Sequence, residues 1–300
     1  MDVLVFGAGS LGSLVGGLLS RAHDVTLVGR QPHVDEVRRN GLRITGVETL
    51  DTQPAATTDG TGAAADLALV TVKAYDTAAA ARALASGDVE VICSLQNGMG
   101  NEDVLADHVD APVLAGTATC GARLAEPGHV EWLGRGTFTV GAWRPADATA
   151  TVERVVAAFR AGGLDADAAD DVRSRLWEKL AVNAAINPIT ALTRVDNGAV
   201  TTPPLADLAR TVGVETARVA RADGASLSDA AATDAVESVA RATAHNRSSM
   251  CRDVTRGRRT EIDAINGYVV DRAAAVDRSA PVNRTLATLI RGWEAGAGLR

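Results

Sequence analysis

Residues 2–30 read DVLVFGAGSLGSLVGGLLSRAHDVTLVGR, and this stretch decides the fold. Residues 2–6 form a short apolar run, GAGSLG (Gly7 to Gly12) opens a segment of helical texture that reaches about Ser20, and residues 24–28 form a second apolar run. Strand, helix and strand in so short a span make a βαβ unit, and the glycines sit where such a unit needs them. Gly7 allows the tight turn, Gly9 lets the backbone approach a pyrophosphate, and Gly12 permits close packing of helix on strand. The helix amino terminus adds unpaired amides and the positive end of its dipole. Together with Ala8, Ser10 and Leu11, these glycines outline a dinucleotide-binding loop. The alternative is an ordinary glycine-rich turn, and the order of strand, glycines and helix argues against it.

The end of the second strand bears on which dinucleotide. An NAD-binding unit places Asp or Glu there to hold the adenosine ribose hydroxyls, whereas this strand ends in Val28-Gly29-Arg30. The Arg30 guanidinium can pair with a 2′-phosphate through two parallel hydrogen bonds, and the missing carboxylate removes a repulsion. NADP(H) is the expected cofactor. A solvated surface arginine is the other reading of Arg30.

Working outward, apolar runs at 66–72 and 89–95 alternate with alanine-rich helical patterns, as in a parallel doubly wound sheet. Shorter strand-like runs within 113–142, joined at Pro127-Gly128 and around Gly134 to Gly136, predict hairpins at the far edge of that sheet. A helix near 149–161 and a strand near 164–168 follow, and from Asp171 onward only helical periodicity remains, over 172–197, 203–224, 229–246, 257–276 and 282–293. The expected fold class is therefore α/β: an N-terminal Rossmann-type doubly wound sheet in residues 1–170 and an all-helical C-terminal domain in 171–300.

Composition narrows the function. The net charge of −7 is spread without a long like-charge run, so there is no electrostatic footprint for nucleic acid or an anionic membrane. No stretch approaches the roughly 18 consecutive apolar residues of a membrane span, and nothing at the start reads as a targeting leader. Cys93, Cys120 and Cys251 are odd in number and far apart, against a disulfide framework or structural zinc. His23, His33, His108, His129 and His245 are dispersed without ligand spacing, so no metal is expected. A cytoplasmic protein with a small-molecule partner fits. Among 30 Lys and Arg residues 28 are Arg, leaving Lys73 and Lys179 as the only lysines; unlike Arg, which stays protonated, Lys can serve as a proton donor.

Lys73 follows the third strand in VTVKAYDT and Asn97 the fourth in SLQNGMG, which places both at the carboxyl ends of parallel strands, the edge where ligands bind. Either residue alone also reads as an ordinary strand-end or turn residue. In LWEKLAVNAAINPITAL, Lys179, Asn183 and Asn187 recur at i, i+4 and i+8 and so stack on one helix face. Two asparagines, poor helix formers, suit a binding face better than a solvated one. Pro188 is expected to break or kink the helix near Asn187, freeing backbone groups to meet a ligand. Farther on, HNRSSMCRDVTRGRRTEIDAINGYVV carries Asn246, Ser248, Ser249, Asp253, Glu261 and Asn266, residue types that bind hydroxyls and carboxylates; Glu261 also reads as an acid at a helix start.

Taken in order, GAGSLG, VTVKAYDT, QNGMG, LWEKLAVNAAINPITAL followed by DNG, and NRSSMCRDV with RRTEIDAINGYVV give a chain that resembles the ketopantoate reductase (2-dehydropantoate 2-reductase) family over essentially its whole length. The resemblance implies reduction of 2-dehydropantoate to (R)-pantoate by NADPH, a step toward pantothenate and coenzyme A. It implies Lys179 as general acid and Glu261 as the carboxylate that anchors the substrate hydroxyl. Asn97, Asn183, Asn187, Asn246 and Ser249 then position substrate and nicotinamide, with Lys73 near the cofactor. A homodimer is compatible with it. Two other readings stay open: an NADP-linked reductase of another small 2-keto or 3-hydroxy acid, and a non-catalytic NADP-binding regulator on the same scaffold.

Overall fold

The strand Asp2–Phe6 turns Val3 and Val5 into one apolar cluster and Leu4 into another. A parallel strand covered on both faces has no polar side, which is why its sequence reads as an unbroken apolar run. The protein is described here by a computed structural model that covers residues 1–144 and 149–300. It divides into two compact units, one formed by Met1–Gln96 with Asn101–Val172 and the other by Asn97–Gly100 with Arg173–Arg300.

The first unit is an α/β layer structure around an eight-stranded sheet. Strand Asp2–Phe6 pairs in parallel with Asp24–Val28 on one side and with Leu67–Val70 on the other. The sheet extends from Asp24–Val28 to Ala55–Thr57, and from Leu67–Val70 through Ile92–Ser94, Val113–Ala118 and Thr137–Ala142 to Asp165–Ala168. The order reverses at Asp2–Phe6, a topological switch point of the kind beside which doubly wound sheets bind ligands. One face is covered by helices Ser10–Leu19 and Thr149–Ala161 through Leu14, Val15, Leu18, Leu19, Val155 and Phe159. The other is covered by Thr77–Leu84 and Asn101–Ala106 through Ala80, Ala81, Leu84 and Leu105. Each fully buried Val or Leu contributes roughly 1.5–3 kcal/mol.

The hairpin expectation needs correction. Val113–Ala118 and Thr137–Ala142 do pair antiparallel near the edge of the main sheet. The intervening hairpin Gly121–Glu126 and His129–Gly134 instead joins Leu42–Gly46 and Leu50–Thr52 in a separate four-stranded sheet. The two short strands after Asn40 escaped the sequence reading: LRITG does alternate, with Leu42 and Ile44 buried and Arg43 exposed, but it and LDT are too short for a period of two to stand out.

In the second unit the described residues are helical: Val172–Thr193, Ala206–Ala222, Asp229–Ala242, Ser249–Thr255, Tyr268–Ala275 and Pro281–Gly296, with a 3₁₀ turn at Asn197–Thr201 and a π-type turn at Asp263–Gly267. Two expectations change. Helix Val172–Thr193 runs unbroken through Pro188. Proline leaves the Ala184 carbonyl without its usual donor, and the Asn266 side-chain amide supplies one at 3.1 Å. The freed group is answered by the protein itself. The segment expected to be helical over 257–276 is non-helical until Asp263, and Ser249–Thr255 is a separate helix whose first turn is capped by Ser248 Oγ accepting from Cys251 N–H at 3.0 Å. No described helix is long and apolar enough to cross a membrane.

Candidate functional site

At the switch point the glycine loop is built by backbone contacts. The Val28 carbonyl accepts from both Gly7 N–H (2.9 Å) and Ala8 N–H (2.8 Å), and Thr71 Oγ1 donates to the Gly7 carbonyl at 2.8 Å. Gly7 has φ +119°, a conformation that favours glycine. A Cβ at Gly12 would lie 2.2 Å from the Gly7 carbonyl oxygen, so packing alone demands glycine there. Gly9 differs: a Cβ on it would meet nothing nearer than 4.0 Å. The protein does not require that glycine, whereas a phosphate lying against the backbone would. Helix Ser10–Leu19 begins directly after it with no side-chain cap and no acidic residue in its first turn, so its leading amides and dipole face outward unopposed. These features fit a dinucleotide pyrophosphate. Of the remaining loop residues, Ala8 is buried, Leu11 packs against the core, and Ser10 Oγ accepts from Leu124 N–H at 3.0 Å, which leaves its amide for a ligand.

Arg30 lies just beyond the second strand with its side chain 84% exposed and ion-paired to Asp76 at 2.7 Å. An exposed pair of this kind contributes little to stability. Three residues on, buried His33 anchors the segment. Its Nδ1 accepts from Gly128 N–H at 3.0 Å and its Nε2 contacts Ser13 Oγ at 2.9 Å, which selects the neutral Nε2–H tautomer. Burial lowers the His33 pKa. Lys73 lies three residues past Val70 and opens the 3₁₀ turn Ala74–Asp76. Gln96 braces that loop, its amide donating to the Val72 carbonyl (3.0 Å) and Thr77 Oγ1 (2.7 Å).

The second unit gathers the remaining residues. Asn97 is half-buried in the segment Asn97–Gly100, which is tied to the unit by Met99 N–H donating to the Ala264 carbonyl at 3.0 Å. On helix Val172–Thr193, Lys179 and Asn183 are half-buried and Asn187 is buried, so the polar stripe runs inward along one face. Beneath it Thr190 Oγ1 reaches the Ile186 carbonyl and Ser248 Oγ, both at 2.8 Å, tying the cap of Ser249–Thr255 to the helix. Ser249 is half-buried and Asn246 exposed; the Asn246 carbonyl accepts from Asn197 N–H at 2.9 Å. Glu261 is 6% exposed and lies in the bend before the π-type turn, a feature that recurs at functional sites. Asn266, read from the sequence as a candidate binding residue, is structural: its amide bridges the Ala184 carbonyl and Asn283 Oδ1.

The first unit thus has a backbone turn that fits a dinucleotide, and the second a lysine and amide helix face together with a carboxylate buried in a bend. Residues 3–145 match the family model described as ketopantoate reductase PanE/ApbA, and residues 171–294 match its C-terminal counterpart. The chain belongs to the ketopantoate reductase family. It is 46% identical to the 2-dehydropantoate 2-reductase of Halobacterium salinarum, an alignment covering 97% of this chain and 98% of that one. The corresponding protein of Archaeoglobus fulgidus is 43% identical, with 98% of each chain covered. Among solved structures, a PanE/ApbA family ketopantoate reductase from Ralstonia eutropha JMP134 superimposes with a TM-score of 0.90 at 34% identity, over 99% of this chain and 100% of that one. Ketopantoate reductases are dinucleotide-binding reductases. Within this family member, residues that sequence reading passed over include Thr71, Asp76 and Glu294. No local pattern marks them, because each acts through a partner 34 or more positions away: Gly7, Arg30 and Thr260.

Proposed function

We propose that the chain reduces 2-dehydropantoate to (R)-pantoate with NADPH, as a cytoplasmic step toward pantothenate and coenzyme A. The observation that carries this reading is the stripe of Lys179, Asn183 and Asn187 on one helix face, sinking from half-buried to buried, in the same unit as the buried carboxylate of Glu261. The stripe offers an ammonium and two amides, and Glu261 a carboxylate, which are the atoms complementary to a small molecule bearing a carboxylate, a ketone and a hydroxyl.

Lys179 is the general acid in this reading. The Gly7–Gly12 loop would hold NADPH, whose chemistry is the donation of a hydride. As the 2-keto carbon is reduced, negative charge grows on its oxygen; the Lys179 ammonium stabilises that charge and then transfers a proton, leaving a neutral amine and a secondary alcohol. Lysine suits this task because arginine would hold its proton. Glu261 accepts a hydrogen bond from the substrate hydroxyl and fixes the far end of the molecule. Asn97, Asn183, Asn187, Asn246 and Ser249 orient the carboxylate and carbonyl, so that the reacting carbon is held rather than merely bound. Gly9 and the amides of Ser10 to Gly12 would hold the pyrophosphate, Arg30 would exchange Asp76 for the 2′-phosphate, and Lys73 would stand beside the nucleotide.

The test is product analysis. Incubation with 2-dehydropantoate and NADPH should yield one pantoate per NADPH oxidised, in the R configuration by chiral chromatography. NADPH oxidised without pantoate, or no oxidation at all, would refute the reading.

A further inference from the structure

Glu294 is completely buried near the end of helix Pro281–Gly296, in a position the chemistry above does not use. Its Oε1 accepts from both the backbone N–H and the hydroxyl of Thr260, each at 2.7 Å, and its Oε2 accepts from Arg300 Nε at 2.5 Å. Thr260 immediately precedes Glu261, and its Oγ1 in turn accepts from Ile262 N–H at 3.2 Å. On the other side, Asp263 accepts from Arg291 Nε at 2.8 Å and Arg300 Nη2 at 2.6 Å. The Glu261 carbonyl receives Ala264 N–H and Ile265 N–H, both at 3.1 Å. The backbone of Glu261 is thus flanked by two contacts to helix Pro281–Gly296, Thr260 to Glu294 on one side and Asp263 to Arg291 on the other.

That helix is fixed at its other end as well. Glu215 accepts from Val282 N–H and Asn283 N–H, and Asn283 Oδ1 receives the Asn266 amide that also serves the Ala184 carbonyl. Ala184 lies one residue past Asn183 on the lysine helix. Pro281–Gly296 therefore spaces the Glu261 bend from the Lys179 stripe.

We propose that Glu294 is a positioning residue, acting through Thr260 to set the Glu261 carboxylate against the substrate hydroxyl. The inference rests on the role given to Glu261 above. A carboxylate displaced by a fraction of an ångström loses orientation while leaving the dinucleotide loop untouched, so the signature is a substrate effect without a cofactor effect.

The experiment compares Glu294→Ala, Thr260→Val, Thr260→Ser and Glu261→Ala in the full chain, measuring KM for 2-dehydropantoate, kcat, the NADPH dissociation constant by fluorescence titration, and Tm. Thr260→Val keeps the side-chain volume and removes the hydroxyl, so it carries the test if Glu294→Ala fails to fold. The expected result is a KM raised about tenfold or more in Thr260→Val and in folded Glu294→Ala, with NADPH affinity within about twofold of the parent, and near-complete recovery in Thr260→Ser. Parental KM and kcat in a folded Thr260→Val, or equal losses of substrate and NADPH affinity, would overturn it. Glu261→Ala separates the two layers: if it leaves KM and kcat unchanged, the role of Glu261 fails and the inference with it, whereas a large effect there with none in Thr260→Val rejects Glu294 alone.

Discussion

The Gly7–Gly12 turn offers backbone amides at the end of a strand, whereas helix Val172–Thr193 offers side chains from a rigid face, and opposite constraints hold them in place. In the turn, the arrangement depends on atoms that are missing: a Cβ at Gly12 would collide with the Gly7 carbonyl, and the space over Gly9 is open. On the helix it depends on polar atoms in a half-buried setting, kept in register by Thr190, Ser248 and the Asn266 amide at Ala184. A backbone site tolerates no added atom, and a side-chain site tolerates no lost one.

The largest expected effect lies on the side-chain half. Lys179→Ala should lower kcat by roughly two or more decades through lost acid catalysis and oxyanion stabilisation, with the NADPH dissociation constant nearly unchanged in titration. An unaltered kcat would remove Lys179 from the chemistry.

Next come the two glycines, which split stability from binding. Gly12→Ala forces a contact of 2.2 Å and should destabilise the chain by about 3 kcal/mol or more in denaturant melts. Gly9→Ala meets nothing nearer than 4.0 Å and should leave Tm within about 1 °C of the parent, yet weaken NADPH about tenfold or more by crowding the pyrophosphate. If both variants lose stability alike, the loop is a packing device and the space over Gly9 has no ligand meaning.

Arg30 brings a side chain into the backbone half. Its replacement by Ala should reduce the preference for NADPH over NADH by about tenfold, the value of one lost charge-assisted pair, in steady-state kinetics with each cofactor. An unchanged ratio would move 2′-phosphate recognition elsewhere.

The smallest effect concerns His33, which ties the Arg30 segment to the first helix. Its pKa is lowered by burial from the ordinary 6.5, so the folded state disfavours its charged form. Stability from this group is present above about pH 6.5 and is lost as pH falls below it. Between pH 7.5 and pH 5 the parent Tm should drop by about 2 °C more than that of His33→Gln; parallel slopes would reject the buried neutral tautomer.

The same contrast explains what the sequence made legible. The βαβ unit, the glycine loop and the polar helix face are local patterns with periods or spacings of their own, and the structure has them where residues 2–30 and 177–193 indicate. Strands Leu42–Gly46 and Leu50–Thr52 were not legible, because they are short and the first is fixed by pairing with His129–Gly134, far along the chain, and the second by pairing with the first. The continuity of the helix through Pro188 was hidden for the same reason: the donor that rescues Ala184 is Asn266. Asp76 beside Arg30 and Glu294 behind Thr260 likewise belong to no motif. Sequence spacing marked the candidate groups; the groups that hold them lay beyond its range.

The central claim, that this side-chain set is shaped for 2-dehydropantoate, is tested most directly by kcat/KM for 2-dehydropantoate, pyruvate and 2-ketoisovalerate with saturating NADPH. All three present a 2-keto acid, but only the first carries the hydroxyl that Glu261 is proposed to anchor. Rapid NADPH oxidation with 2-dehydropantoate and values lower by about a hundredfold or more for the other two are expected. Equal turnover of all three would contradict the account.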